Sequence, residues 1–114
     1  MVYMLIGKEY ITYIGSIYRV SIYIGTFKCI SGCDSAISAS LIFNIKVNNS
    51  VERSVTINYD DSNETEIYYD ALITPIRVKP NDKIEIEMVE NFPSDADFLV
   101  DNVEIKLKCS KIPY

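Results

Sequence analysis

The chain contains no histidine, no tryptophan and no glutamine. Without histidine the commonest catalytic base is missing, and no serine or cysteine lies in a local motif that would activate it, so catalysis is not expected. Three cysteines, Cys29, Cys33 and Cys109, stand at no repeated spacing and without histidine partners, which excludes an ordinary zinc site. There is no basic run either: eleven Lys and Arg are scattered singly in a chain of net charge -5 and pI near 4.6. Neutralising a nucleic-acid backbone or docking on an anionic membrane needs clustered cations, so neither partner is expected. No stretch reaches the roughly twenty apolar residues of a membrane helix. Met1 to Ile30 is apolar but broken by Lys8, Glu9 and Arg19, and lacks the basic start and small-residue cleavage site of a secretory signal. A cytoplasmic protein, a virus-particle component or a mature form is expected. Scarce glutamine with abundant Lys, Glu and Ile hints at a hot source, against which abundant Asn weighs.

What is present is a period of two. With 114 residues, of which 48% are apolar, residues 1–114 have the size and composition of one globular domain. Met1 to Ile6 and Glu9 to Ile14, separated by Gly7-Lys8, suggest a hairpin. From Ile17 to Phe27, Tyr18, Val20, Ile22 and Ile24 alternate with Arg19, Ser21 and Tyr23, the pattern of a strand with one face in a core. Ile37 to Val47 places Ile37, Ala39, Leu41, Phe43, Ile45 and Val47 on one side and is expected to be central and longest. Asn48-Asn49-Ser50 predicts a tight hairpin turn into Val51 to Tyr59. A polar loop over residues 60–65 leads to Glu66 to Tyr69 and Leu72 to Val78, where Leu72, Thr74, Ile76 and Val78 share a side. Pro75 there demands an edge or a bulge. After the turn Lys79 to Asp82, Ile84, Ile86 and Met88 face inward. The last strand, Phe98 to Lys108, keeps Phe98, Val100, Val103, Ile105 and Leu107 inward only if an extra residue sits at Asp101-Asn102, which predicts a bulge. Seven or eight such strands, with turn signals throughout, predict an all-β antiparallel sandwich.

The closing run Phe98-Leu-Val-Asp-Asn-Val-Glu-Ile105 resembles the last strand of jelly-roll domains of the galactose-binding-like type, which include many carbohydrate-binding modules. Tyr18-Arg19-Val20-Ser21-Ile22-Tyr23-Ile24 is similar to their early inner strand, and Thr74 to Ile84 to their penultimate hairpin. The resemblance implies a jelly-roll fold, a sugar ligand and a structural calcium ion, for which Asp101 is the one ligand carried over. The residues before Tyr18 are fewer than that family usually has.

The residues themselves leave two partners open. A sugar needs flat aromatic faces beside hydrogen-bonding groups. Tyr13 and Tyr23 point away from the core, and Tyr68-Tyr69 must place one ring on each side of its strand, so Tyr13, Tyr23, Tyr68 and Tyr69 are the candidate ligand-binding residues. Exposed tyrosines on a sheet also serve cross-strand packing or a protein interface. The exposed Ile42 and Tyr23, with the apolar residues 1–15, suit a self-associating structural protein or homo-oligomer instead. No cofactor is expected beyond calcium on the acidic loops, for which Asp60, Asp61, Glu64, Asp95, Asp97 and Asp101 supply oxygen ligands. Cys29 and Cys33 either close a small loop as a disulfide or remain reduced with Cys109.

Overall fold

The computed structural model describes residues 2–4, 8–10, 14–61 and 66–112. Among them are eight strands: β1 (Val2–Met4), β2 (Lys8–Tyr10), β3 (Ile14–Ser31), β4 (Ser40–Val47), β5 (Ser50–Asn58), β6 (Ile67–Val78), β7 (Lys83–Asn91) and β8 (Asp97–Ile112). One six-residue 3-10 helix, Cys33–Ser38, joins β3 to β4. The strands form two antiparallel sheets, ordered β1-β8-β3-β6 and β2-β7-β4-β5. Every connection except β4 to β5 therefore passes from one sheet to the other.

Alternation explains how the sheets hold together. Ile22, Ile24 and Phe27 of β3, Leu41 and Phe43 of β4, and Ile105 and Leu107 of β8 belong to one buried cluster fed by both sheets. Burying each such side chain is worth about 1.5–3 kcal/mol, which is why the long strands dominate the fold. One end is closed by rings: Phe27 lies 5.2 Å from Tyr59, 5.9 Å from Phe92 and 5.7 Å from Phe98, tilted or edge-on as aromatic quadrupoles favour. Beside this plug a disulfide joins Cys29 to Cys33, with Cα atoms 5.8 Å apart, while Cys109 is a free thiol. Gly32 within that loop has φ 70°, and a Cβ there would meet the Asp95 carbonyl oxygen at 1.9 Å, so only glycine fits.

The turns carry the special backbone. Asn48 and Asn49 have φ 51° and 71°, the left-handed pair of a two-residue hairpin between β4 and β5. The buried Asp82 carboxylate accepts from Asn48 Nδ2 at 2.9 Å and from the Lys79 amide at 3.0 Å, and Asn48 Oδ1 accepts from the Lys83 amide at 3.0 Å. Each oxygen of the Asp82 carboxylate thus accepts a hydrogen bond, as burial requires.

Several sequence expectations are corrected. Among the described residues of the expected first hairpin, β1 and β2 do not pair with each other, since β1 joins β8 in one sheet and β2 joins β7 in the other. The turn at Lys79 to Asp82 is formed, the Asp82 amide donating to the Lys79 carbonyl at 3.1 Å, but it leads from one sheet to the other, so Thr74 to Ile84 is not the hairpin that the resemblance implies. Ile37 falls in the 3-10 helix and is 90% exposed, and the longest strand is β3, although β4 is internal to its sheet as expected. Leu72 faces solvent at 74% exposure, unlike Ile76 and Val78, because the register slips between Ile17 and Arg19 opposite the segment containing Pro75. In that slip Ile17, not Tyr18, enters the core. Pro75 lies on an edge strand where the ladder is already interrupted, both of the settings it tolerates.

The inward phase of β8 does switch at Asp101-Asn102, but no extra residue makes it. Ile24 pairs with Val103 and Thr26 with Asp101 in unbroken register, so β3 switches phase at the same level. The device is Asn102 at φ 54° facing Gly25, whose missing side chain leaves room for that of Asn102.

Candidate functional site

Register brings nine outward side chains of β6, β3 and β8 into three rows. Tyr68, Tyr23 and Glu104 form the first, Asp70, Ser21 and Lys106 the second, and Leu72, Arg19 and Lys108 the third. Successive rows are two residues apart along each strand, about 7 Å. Between the first two lies a groove of about 530 Å³ lined by Ser21, Tyr23, Tyr68, Asp70, Glu104 and Lys106. A smaller hollow of about 200 Å³ continues it towards Arg19 and Lys108.

The tyrosine end is built around one carboxylate. Tyr23 Oη donates to Glu66 Oε1 at 3.0 Å and Tyr68 Oη donates to Glu66 Oε2 at 3.1 Å. The rings stand 5.0 Å apart at 41°, so each fixes the other as well as the acid. Hydrogen bonding to Glu66 pushes both phenol pKa values up, reinforced by desolvation, and both hydroxyls stay protonated donors at neutral pH. Tyr68 nevertheless keeps 74% of its surface exposed, leaving ring area for a ligand.

The middle of the face is an ion pair. Arg19 donates from Nε to Asp70 Oδ1 at 2.8 Å and from Nη2 to Asp70 Oδ2 at 2.5 Å, and Ser21 Oγ donates to Asp70 Oδ1 at 2.9 Å. This bidentate fork, with help from Ser21, pulls the Asp70 pKa down to about 2 and raises that of Arg19. Both side chains remain more than 40% exposed, so the pair orients the site more than it stabilises the fold.

The structure separates the candidate residues. Tyr23 and Tyr68 meet as ring neighbours on the groove face. Tyr69 turns the other way and packs its side chain against the core cluster, the necessary result of alternation after an outward Tyr68. Tyr13 lies outside the described residues. Asp101 is exposed within β8 and accepts from the amide of Asn102 at 2.8 Å. Asp95 and Asp97 accept from Ser35 and Ser31 at 2.8 and 2.9 Å, and Glu64 lies outside the described residues. No group of three or more acidic or cysteine side chains placed to hold a metal ion occurs among the described residues. Ile42 is half-buried, not exposed.

Glu66, Asp70 and Ser21 were not singled out by sequence reasoning, nor were Arg19, Glu104, Lys106 and Lys108. The alternation assigns most of these to polar faces of separate strands; only the register unites them, and no local motif encodes it. The chain matches no protein-family model, no curated protein and no solved structure.

Proposed function

We propose that this chain is a non-catalytic carbohydrate-binding module of jelly-roll architecture, its ligand lying across the outer face of β6, β3 and β8. The jelly-roll reading is supported by the strand order: the chain crosses between sheets at every step but β4 to β5, giving 1-8-3-6 and 2-7-4-5, an order that suits two interleaved Greek keys. The sugar reading is carried by the Tyr23-Tyr68 pair clamped on Glu66 beside the groove. A sugar stacks its C–H face on an exposed ring and offers hydroxyls to carboxylate, serine and lysine groups, and Tyr68, Glu104, Ser21 and Lys106 present those partners at one place. The fixed hydrogen bonds of the groove, from the two tyrosines to Glu66 and from Arg19 and Ser21 to Asp70, suit recognition.

Glycan-array screening of the chain and of Tyr68→Ala tests this. Binding to a defined set of glycans is expected, weakened more than about tenfold by the loss of one stacking ring. Absence of any glycan binding, or full retention by Tyr68→Ala, defeats the reading.

A second reading, a self-assembling protein such as a component of a virus particle, is favoured by Leu72, 74% exposed on the edge strand β6 at the end of the same face. Size-exclusion chromatography with light scattering separates the two: a monomer that binds glycans supports the module, and a defined oligomer that binds none supports assembly.

A further inference from the structure

The outer face of β6, β3 and β8 is graded in charge along the strands. Glu66 and Glu104 flank the tyrosines; Asp70 occupies the middle; Arg19 and Lys108 stand opposite each other in register at the far end, with Lys106 one row before them. The hollow at that end is lined by Arg19, Lys106 and Lys108 with one carboxylate, Asp70, on a chain whose net charge is -5, and because Asp70 balances Arg19 the ammonium of Lys108 adds positive charge beside that pair. Positive charge standing in a concavity of an acidic protein points to an anionic group on the ligand. Arg19 is held in place by Asp70, which orients its guanidinium before any ligand arrives.

We infer that the ligand is an anionic saccharide whose carboxylate or sulfate lies over Arg19 and Lys108 while its hydroxyl-bearing part lies along Tyr23, Tyr68 and Glu66. From Tyr23 to Arg19 is four residues of strand, about 13 Å, so the acidic group and the stacked ring belong to different parts of an extended ligand. The two carboxylates at the tyrosine end repel a chain charged along its whole length. The face therefore suits one acidic group beside neutral sugar, and disfavours a nucleic-acid strand, whose bases would suit the tyrosines but whose phosphates would meet Glu66 and Glu104.

This inference rests on the carbohydrate reading, and calorimetric titration of the full chain distinguishes the failure of either. The probes are a hexuronate oligosaccharide, a sulfated oligosaccharide, a neutral oligosaccharide and a single-stranded oligonucleotide, each against the wild type, Lys108→Gln and Lys108→Glu, with melting temperatures recorded to show that the variants are folded. An acidic saccharide is expected to bind about tenfold tighter than the neutral one, as one charge-assisted contact provides. That advantage is expected to vanish in Lys108→Glu, to shrink in Lys108→Gln and to fall with added salt, while neutral-sugar binding is unchanged. A preference for either anion supports the inference and says which acid is bound. Equal binding of neutral and acidic saccharides overturns it and leaves the carbohydrate reading standing. Binding of no saccharide overturns both, as does an oligonucleotide that outcompetes every sugar.

Discussion

Substituting Gly25 by alanine should destabilise the fold through one identifiable contact. A Cβ at position 25 would lie 2.8 Å from Asn102 Cβ, 3.1 Å from its Nδ2 and 3.3 Å from its Cγ, and these are the three nearest atoms. Real Cβ atoms do not approach so closely, and Asn102 Cβ is tied to a backbone held at φ 54° between paired neighbours, so it has little room to retreat. Overpacking of this kind costs about 1–3 kcal/mol. Unfolding entropy near 2.1 cal/mol/K per residue amounts to about 240 cal/mol/K for this chain, so the melting temperature should fall by about 4–12 °C. Asn102→Gly removes all three obstructing atoms and relieves the left-handed backbone, offset by a more flexible unfolded chain, for a net change within about 1 kcal/mol. In that background Gly25→Ala should cost little, which makes the coupling energy of the double-mutant cycle nearly as large as the single-mutant loss. Urea unfolding of the four proteins, followed by circular dichroism at neutral pH, measures it. If Gly25→Ala is as stable as the wild type, or equally damaging with and without the Asn102 side chain, the account of the phase switch in β3 and β8 is wrong.

Two other perturbations have signed outcomes. The Asp70 carboxyl sits at about 2 in the folded protein, below its unfolded value near 3.9, so its contribution to stability is present above about pH 4 and is lost as pH falls through 2. Urea midpoints should therefore fall more steeply over that window in the wild type than in Asp70→Asn, with the gap narrowing at high salt because the pair is exposed; parallel curves would refute the pairing. Glu87, lowered by hydrogen bonds from Asn44 and then Lys46, acts in the same direction in both proteins and does not confuse the comparison. Reducing the Cys29-Cys33 bridge opens a five-residue loop, for which loop-closure entropy gives about 2 kcal/mol, or about 8 °C in melting temperature. Cys33→Ser should reproduce the loss and Cys109→Ser should not, and a melting point insensitive to reductant would show that the bridge does not act on the unfolded chain in this way.

The strands were legible in the sequence wherever a side chain's neighbours two residues away were also apolar. Leu41, Phe43 and Ile45, or Ile84 and Ile86, needed nothing but alternation, and all five are buried. Legibility failed where geometry between strands intervened. Ile37 continues the period of β4 on paper, yet it lies in the 3-10 helix and β4 begins only at Ser40. Leu72 continues the period of Ile76 and Val78, but the register slip across from Tyr18 turns it outward. The site was half legible for the same reason: period two marks Tyr23 and Tyr68 as outward, but that they touch, and that Glu66 joins them, depends on the pairing of residue 23 with residue 68.

The opposite sheet shows why the groove lies where it does. On the outer side of β7, β4 and β5, Asn44 donates to Glu87 at 2.9 Å, Lys46 to the same carboxylate at 3.3 Å, and Ser54 to Asn44 at 2.6 Å. These side chains are in cross-strand reach and link to one another in a continuous chain of hydrogen bonds across the strands. On the outer side of β6, β3 and β8, by contrast, two bulky rings rise in one row, a serine lies low in the next, and charged side chains stand around it. Tall side chains beside a short one leave a concavity, and the Tyr23-Tyr68 pair holds the tall side upright through Glu66. The same backbone architecture thus yields a hydrogen-bonded polar patch on one sheet and a recessed, charge-graded face on the other, and the recess lies where Ser21 stands between Tyr23 and Arg19 along a single strand.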